Sequence, residues 1–402
     1  MVLSRKKIRV AIREALILMI GVPIIVFGTY GTSRGMAATG TIYLKYAFPA
    51  AILVIAALLS RDLIKRGRIS LLAFGMKEIQ LFQLVSLLIL ISTFGLPQYI
   101  LTALLTVLAA FLGVLYVTNR VDCEERFLSM FASYQRLIYV TTLLALITGL
   151  YSFYFGSLHF GPIVIRYNKL FWRINSWYVS STGLGLFLCH GIFSAYYFIL
   201  KSRSSLSRAI HAAVIPGFIY GMALAGGRTG FFAMIAAFFF LWVAKNWPFR
   251  LVTWVKLFFM VSLFASVLFY LLHNFSRQIY FLRRLQSDTG SLGGRTGFLA
   301  HAWNDLGHFS YYQLFFGVGV NGSQETLLWS TSVHSGMLRF MLEYGFLMLI
   351  VYVLFCITTL SGLFRRAGGC GKFQPEGAVL LISMTSFVIA EFMVIQLFGI
   401  SI

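Results

Sequence analysis

The six residues Gly-Gly-Arg-Thr-Gly-Phe occur twice, at 226–231 and 293–298. Each copy sets glycine amides, a threonine hydroxyl (Thr229, Thr296) and a guanidinium (Arg228, Arg295) just ahead of a stretch with helical character. Helix N-termini attract anions, and an Arg fork grips a phosphate through two parallel bonds. Two such units suit two phosphates. The plainer alternative is that the glycines make turns and the arginines reach to lipid headgroups. A third group lies in Thr331-Ser332-Val333-His334-Ser335, which runs into an apolar stretch. Thr331 or Ser332 can cap that helix and place His334 in its first turn. There the positive end of the helix dipole disfavours an imidazolium. A neutral imidazole can accept a proton, as a general base must; the alternative is a histidine that only hydrogen-bonds at an interface. Arg339 and Glu343, four residues apart inside the apolar stretch, read first as a pair that holds the guanidinium in place. Walker A, dinucleotide, His-Glu-x-x-His and Asp-x-Asp motifs are absent from the sequence, which argues against nucleotide-dependent chemistry.

The elements that must position these residues follow from composition. The chain has 402 residues, 59% hydrophobic and only 11% charged, with mean hydropathy +0.84. A soluble chain is about 45–50% apolar and about 25% charged. About 20 apolar residues cross a bilayer, and such runs recur at 11–30, 41–60, 72–95, 98–118, 137–156, 179–200, 209–225, 229–244, 251–272, 336–360 and 377–400. The expectation is an all-α, polytopic membrane helix bundle of about eleven spans, forming a single integral membrane domain over 1–402. Alternating ten-residue segments, the mark of a membrane β-barrel, are not seen.

The net charge is +21. In a soluble protein that would point to nucleic acid; here the positive-inside rule accounts for most of it, and no nucleic-acid partner is expected. Arg5, Lys6, Lys7 and Arg9 keep the N-terminus inside, and every alternate loop, 61–70, 119–136, 201–208, 245–250 and 363–372, is basic. The first span reads as an uncleaved anchor. None of Cys123, Cys189, Cys356 and Cys370 falls in an outer loop, so no disulfide framework is implied.

Two outer loops are long. In 157–178, Ile163, Tyr167, Leu170, Ile174 and Trp177 recur at helical spacing, and Arg166, Lys169 and Arg173 share another face. This predicts a basic amphipathic helix on the outer surface, either an anchor on anionic lipid or a basic wall beside an anionic substrate. The loop 273–335 is the largest soluble piece; 298–306 reads as a short helix, and 311–322 is aromatic and then glycine-rich.

The order Ala225-Gly226-Gly227-Arg228-Thr229, then Gly293-Gly294-Arg295, Trp303, Gly317-Val318-Gly319, and His334 with Glu343 and Gly345, resembles the O-antigen polymerase and O-antigen ligase superfamily of bacterial envelope glycosyltransferases. The resemblance covers roughly residues 210–360. The family usually has His-Asn where this chain has His334-Ser335, which leaves the neighbour's role open. The resemblance implies a C-type helical glycosyltransferase fold with a large periplasmic loop, in the bacterial inner membrane with its site facing the periplasm. It implies an undecaprenyl-diphosphate-linked glycan as donor, inversion at the anomeric carbon, and neither metal nor other cofactor. By position, Arg228 and Arg295 would bind the diphosphate and His334 would activate the acceptor hydroxyl. Thr229, Thr296, Arg339, Glu343, Arg166, Lys169 and Arg173 are the expected further contacts. The bilayer and a chain-length regulator protein are the expected partners. Between joining repeat units and transferring finished glycan to lipid A-core, the Gly-Gly-Arg-Thr-Gly loop and the aromatic run at 309–316 favour the polymerase. A flippase for the same lipid-linked glycan is the alternative from another class; it would need no histidine at a helix mouth and would usually show repeated spans. A peptidoglycan-type polymerase is a further one.

Overall fold

A computed structural model describes residues 77–93, 124–156, 158–160, 163–165, 167–168, 173–174, 181–226, 228–246, 306–319, 336–368 and 374–393, with a few single positions elsewhere. Eight helices lie among the described residues. They are α1 (Lys77–Thr93), α2 (Glu124–Phe155), α3 (Ser181–Lys201), α4 (Ser205–Ala225), α5 (Arg228–Asn246), α6 (Tyr311–Phe316), α7 (Gly336–Gly368) and α8 (Gln374–Met393). Five stretches are long and apolar enough to cross a membrane: Glu125–Phe155, Gly183–Lys201, Ser205–Ala225, Thr229–Asn246 and Met341–Arg365. They coincide with the spans expected at 137–156, 179–200, 209–225, 229–244 and 336–360. α1 lies within the expected span 72–95, and α8 overlaps 377–400. The expected spans 11–30, 41–60, 98–118 and 251–272 lie outside the described residues except for single positions, as does most of 273–335.

The sequence makes these helices for a simple reason. In lipid every backbone amide must be satisfied internally, and a helix does this within one segment. Hydroxyls turn back onto their own helix whether buried or exposed: the buried Thr142 donates to the Ile138 carbonyl at 2.7 Å, and the more exposed Thr358 to that of Leu354 at 2.8 Å. α2 is longer than a span requires. Its 32 residues reach about 48 Å at 1.5 Å per residue, which leaves length for its charged start, Glu124, Glu125 and Arg126, to project from a core about 30 Å thick.

The described residues fall into two compact units. In the unit drawn from 138–297 and 360–390, α3 is the inner helix and is much more buried than α4. Leu184, Leu188, Ile192 and Phe193 form its buried face, and α4 and α5 pack against it. The helix ends of this unit meet in two places. At one end Lys201 of α3 meets Glu376 of α8, and Lys245 of α5 lies over the ring of Tyr196. At the other, the hydroxyls of Tyr154 and Tyr220 are 2.5 Å apart, where α2 and α4 finish. The second unit is drawn from 1–137, 298–359 and 391–402 and contains α1, α6 and most of α7.

The segment 157–178 corrects an expectation. Its described residues are not an amphipathic helix but four short strands: β1 (Leu158–Phe160), β2 (Ile163–Ile165), β3 (Tyr167–Asn168) and β4 (Arg173–Ile174). β1 pairs antiparallel with β2, Phe160 opposite Ile163, and β3 with β4, Asn168 opposite Arg173. The reason is local. Gly161-Pro162 separates two triplets; Pro lacks an amide donor and disfavours helical backbone at the residue before it, and Gly adds no helix propensity to offset that. The β-branched Ile163-Val164-Ile165 favours a pleated strand. β4 is nonetheless anchored: it packs on α4, and Ile174 is fully buried. Of the three residues expected on a basic helical face, Arg173 is a strand residue, and Arg166 and Lys169 lie outside the described residues.

Candidate functional site

The first copy of the repeated hexapeptide forms the connection between α4 and α5. α4 ends at Ala225 because Gly226 turns left-handed (φ 63°, ψ 23°), and its amide donates back to Ala223 and Met222. Arg228 then opens α5. Thr229 is 3% exposed, so it is packed into the protein rather than displayed. Gly230 explains how: a Cβ there would lie 2.6 Å from the carbonyl of Gly185 in α3. Only glycine lets the two backbones approach this closely, as small residues do between membrane helices. The turn thus fixes Arg228 at the first residue of a helix whose first turn is pinned to α3 at Gly230. The side chain of Arg228 is outside what is described, as is the whole second copy with Arg295 and Thr296.

A second arrangement joins segments distant in sequence. α6 is a single capped turn and a half. Ser310 Oγ accepts from the Gln313 amide at 3.3 Å, and Gln313 Oε1 accepts from the Ser310 amide at 2.9 Å. Leu306 and Leu342 pack with Phe309, Leu314 and Met341 beneath it. The chain then leaves through Gly317-Val318-Gly319 and docks on α7 where α7 is broken. Gly345 has φ 80° and ψ 172°, and Gly317 has φ 79° and ψ −177°. That region of backbone space is open essentially to glycine alone. A continuous helix would satisfy the carbonyls of Leu342 and Glu343 with amides one turn later; the break removes those partners. The amides of Val318 (3.0 Å, to Leu342) and Gly319 (2.8 Å, to Glu343) replace them. The approach leaves no space: a Cβ on Gly345 would run into the Phe315 carbonyl, and one on Gly317 into that of Glu343.

Glu343 sits on this junction and is 1% exposed. Arg339 lies one turn earlier on α7, its side chain outside what is described, and His334 is outside the described residues altogether. Arg228 and Thr229 belong to one compact unit, Arg339 and Glu343 to the other.

Sequence reasoning missed one charged group. Glu376 in the first turn of α8 is 1% exposed and pairs with Lys201 at 2.8 Å. The Tyr197 hydroxyl donates to the same Oε1 at 3.2 Å, while Oε2 has no partner. Lys201 closes α3 and Glu376 opens α8, so each charge complements its helix dipole. The available signal was a lone acid entering an apolar stretch just after Pro375. Among the described residues no group of three or more His, Cys, Asp and Glu side chains could hold a metal ion. No family model and no curated protein matches the chain.

Proposed function

We propose that this protein is an inner-membrane glycosyltransferase that polymerises undecaprenyl-diphosphate-linked repeat units of an O-antigen or related surface polysaccharide at the periplasmic face. The observation that carries the reading is the junction just described. Gly317-Val318-Gly319 and Glu343 with Gly345 are separate parts of the resemblance, and they meet through paired backbone bonds. A second support is the Gly226 turn, which holds Arg228 at the opening of α5.

In this reading the diphosphate gains negative charge as the glycosidic bond breaks, and Arg228 and Arg295 stabilise that charge without a cation. His334, neutral at a helix mouth, takes the proton of the acceptor hydroxyl as it attacks. Arg339, Glu343, Thr229, Thr296, Arg166, Lys169 and Arg173 are the further substrate-binding residues of this reading. The free energy comes from the lipid diphosphate, so a compartment without nucleotide is no obstacle. A chain-length regulator would act on the same product.

The test is incubation of purified protein with lipid-linked repeat units and sizing of the products. A ladder of repeats is expected. Transfer only when lipid A-core is supplied would replace the polymerase with the ligase, and movement of the lipid across a vesicle without a new glycosidic bond would replace both with the flippase.

A further inference from the structure

α6 presents an apolar face that the described residues leave uncovered. Leu314 and Phe309 turn inward to Leu306 and Leu342, whereas Tyr311 is 83% exposed and Tyr312 and Phe315 are each 55% exposed. No charged residue occurs from Phe309 to Gly319. A water-facing turn of this composition would be an adhesive patch. Its position tells what covers it. The Val318 and Gly319 amides tie the end of α6 to Leu342 and Glu343, the second and third residues of the span Met341–Arg365. Beyond the break at Gly345 the span runs on to Arg365, about 20 residues or about 30 Å at 1.5 Å per residue, which matches a hydrocarbon core about 30 Å thick. Its first turn therefore lies at the edge of the core. Phe346, Ile350, Leu354 and Ile357, all exposed, follow at spacings of one helical turn and form the outward stripe of the same span. The Phe315 backbone lies against Gly345, next to the first member of that stripe.

From this continuity we infer that α6 lies in the interfacial zone of the bilayer, with Tyr311, Tyr312 and Phe315 inserted among the headgroups and upper acyl chains at the end where α7 enters. Tyr is enriched at that level because its ring is apolar and its hydroxyl stays hydrated. An in-plane amphipathic segment sits about 5–10 Å into the boundary. The inference concerns the membrane alone and stands whether or not the proposed enzymatic reading does.

The experiment uses full-length protein in nanodiscs, with its four cysteines replaced by alanine and a single nitroxide placed by Tyr312→Cys or Phe315→Cys. Collision with oxygen and with a water-soluble nickel chelate reports depth. Glu125→Cys, in the charged start of α2, and Ile357→Cys, on the lipid-facing stripe, give the two references. Oxygen access above that at 125 and nickel access between the two references are expected. Nickel access equal to that at 125 would overturn the inference in favour of a water-exposed turn. Low access to both reagents would overturn it in favour of a covering protein surface. Should the cysteine-free protein not fold, hydroxyl-radical footprinting of the unmodified protein in nanodiscs answers the same question. Tyr311 and Tyr312 should be oxidised several-fold less than in a lipid-free amphipol preparation; equal oxidation overturns the inference.

Discussion

The turn at Gly226–Gly230 and the junction at Gly317–Gly345 use glycine for the same purpose and obtain it differently. The turn is local: Gly226 bonds back to residues three and four positions earlier, and its left-handed backbone is one that Asn can also adopt. The junction is non-local. It fits two glycines into backbone space closed to other residues and binds a loop to a broken membrane helix more than twenty residues away in sequence. A local device fails by degrees; one that depends on two backbones meeting fails as a unit.

The largest effect should come from the junction. Gly345→Ala combines an inaccessible conformation with a collision against the Phe315 carbonyl, and should destabilise by about 3–5 kcal/mol. Gly226→Ala should cost only about 1 kcal/mol. Thermal unfolding in micelles compares them directly, and equal shifts would erase the distinction. Gly230→Ala tests whether close approach alone suffices: its backbone is ordinary helix, yet the Gly185 carbonyl leaves no room, so the loss should fall between those two.

A smaller effect distinguishes the partners of the buried ion pair. Lys201→Ala strands the Glu376 carboxylate in an apolar interior, whereas Glu376→Gln keeps the Tyr197 bond and frees a half-exposed lysine. The melting temperature should drop further for Lys201→Ala, and the reverse order would mean the lysine, not the acid, is the buried liability. The smallest effect has the opposite sign. Gly362 lies on the same helix as Gly345 but is exposed, with nothing within 4 Å of a Cβ. Gly362→Ala should stabilise α7 by about 0.5–1 kcal/mol, again read from thermal unfolding.

The comparison also explains what could be read from the sequence. Spans such as 209–225 and 229–244 were legible because lipid imposes length and composition on each segment separately. The glycines around Arg228 were legible as a turn for the same local reason. The strand pairs at 158–174 are not, because Ile163, Tyr167 and Ile174 also fall at helical spacing and only the Gly161-Pro162 dipeptide argues against a helix. The break at Gly345 was beyond reach: the residue is one glycine in an apolar run, and its need appears only when Val318 and Gly319 supply the missing donors. The role of Glu376 is hidden in the sequence because its partner Lys201 counts there as one more basic residue at a helix end.

The proposed transfer reaction rests on arginines gripping a diphosphate and a histidine taking a proton, and these roles separate kinetically. In purified protein at equal folded amount, with lipid-linked repeat units as donor and acceptor, Arg228→Ala and Arg295→Ala should each abolish chain extension, with Arg→Lys partly active. His334→Gln should lower the rate about 10²–10⁴-fold while donor binding is retained. A normal ladder from both alanine variants and from His334→Gln would contradict the account.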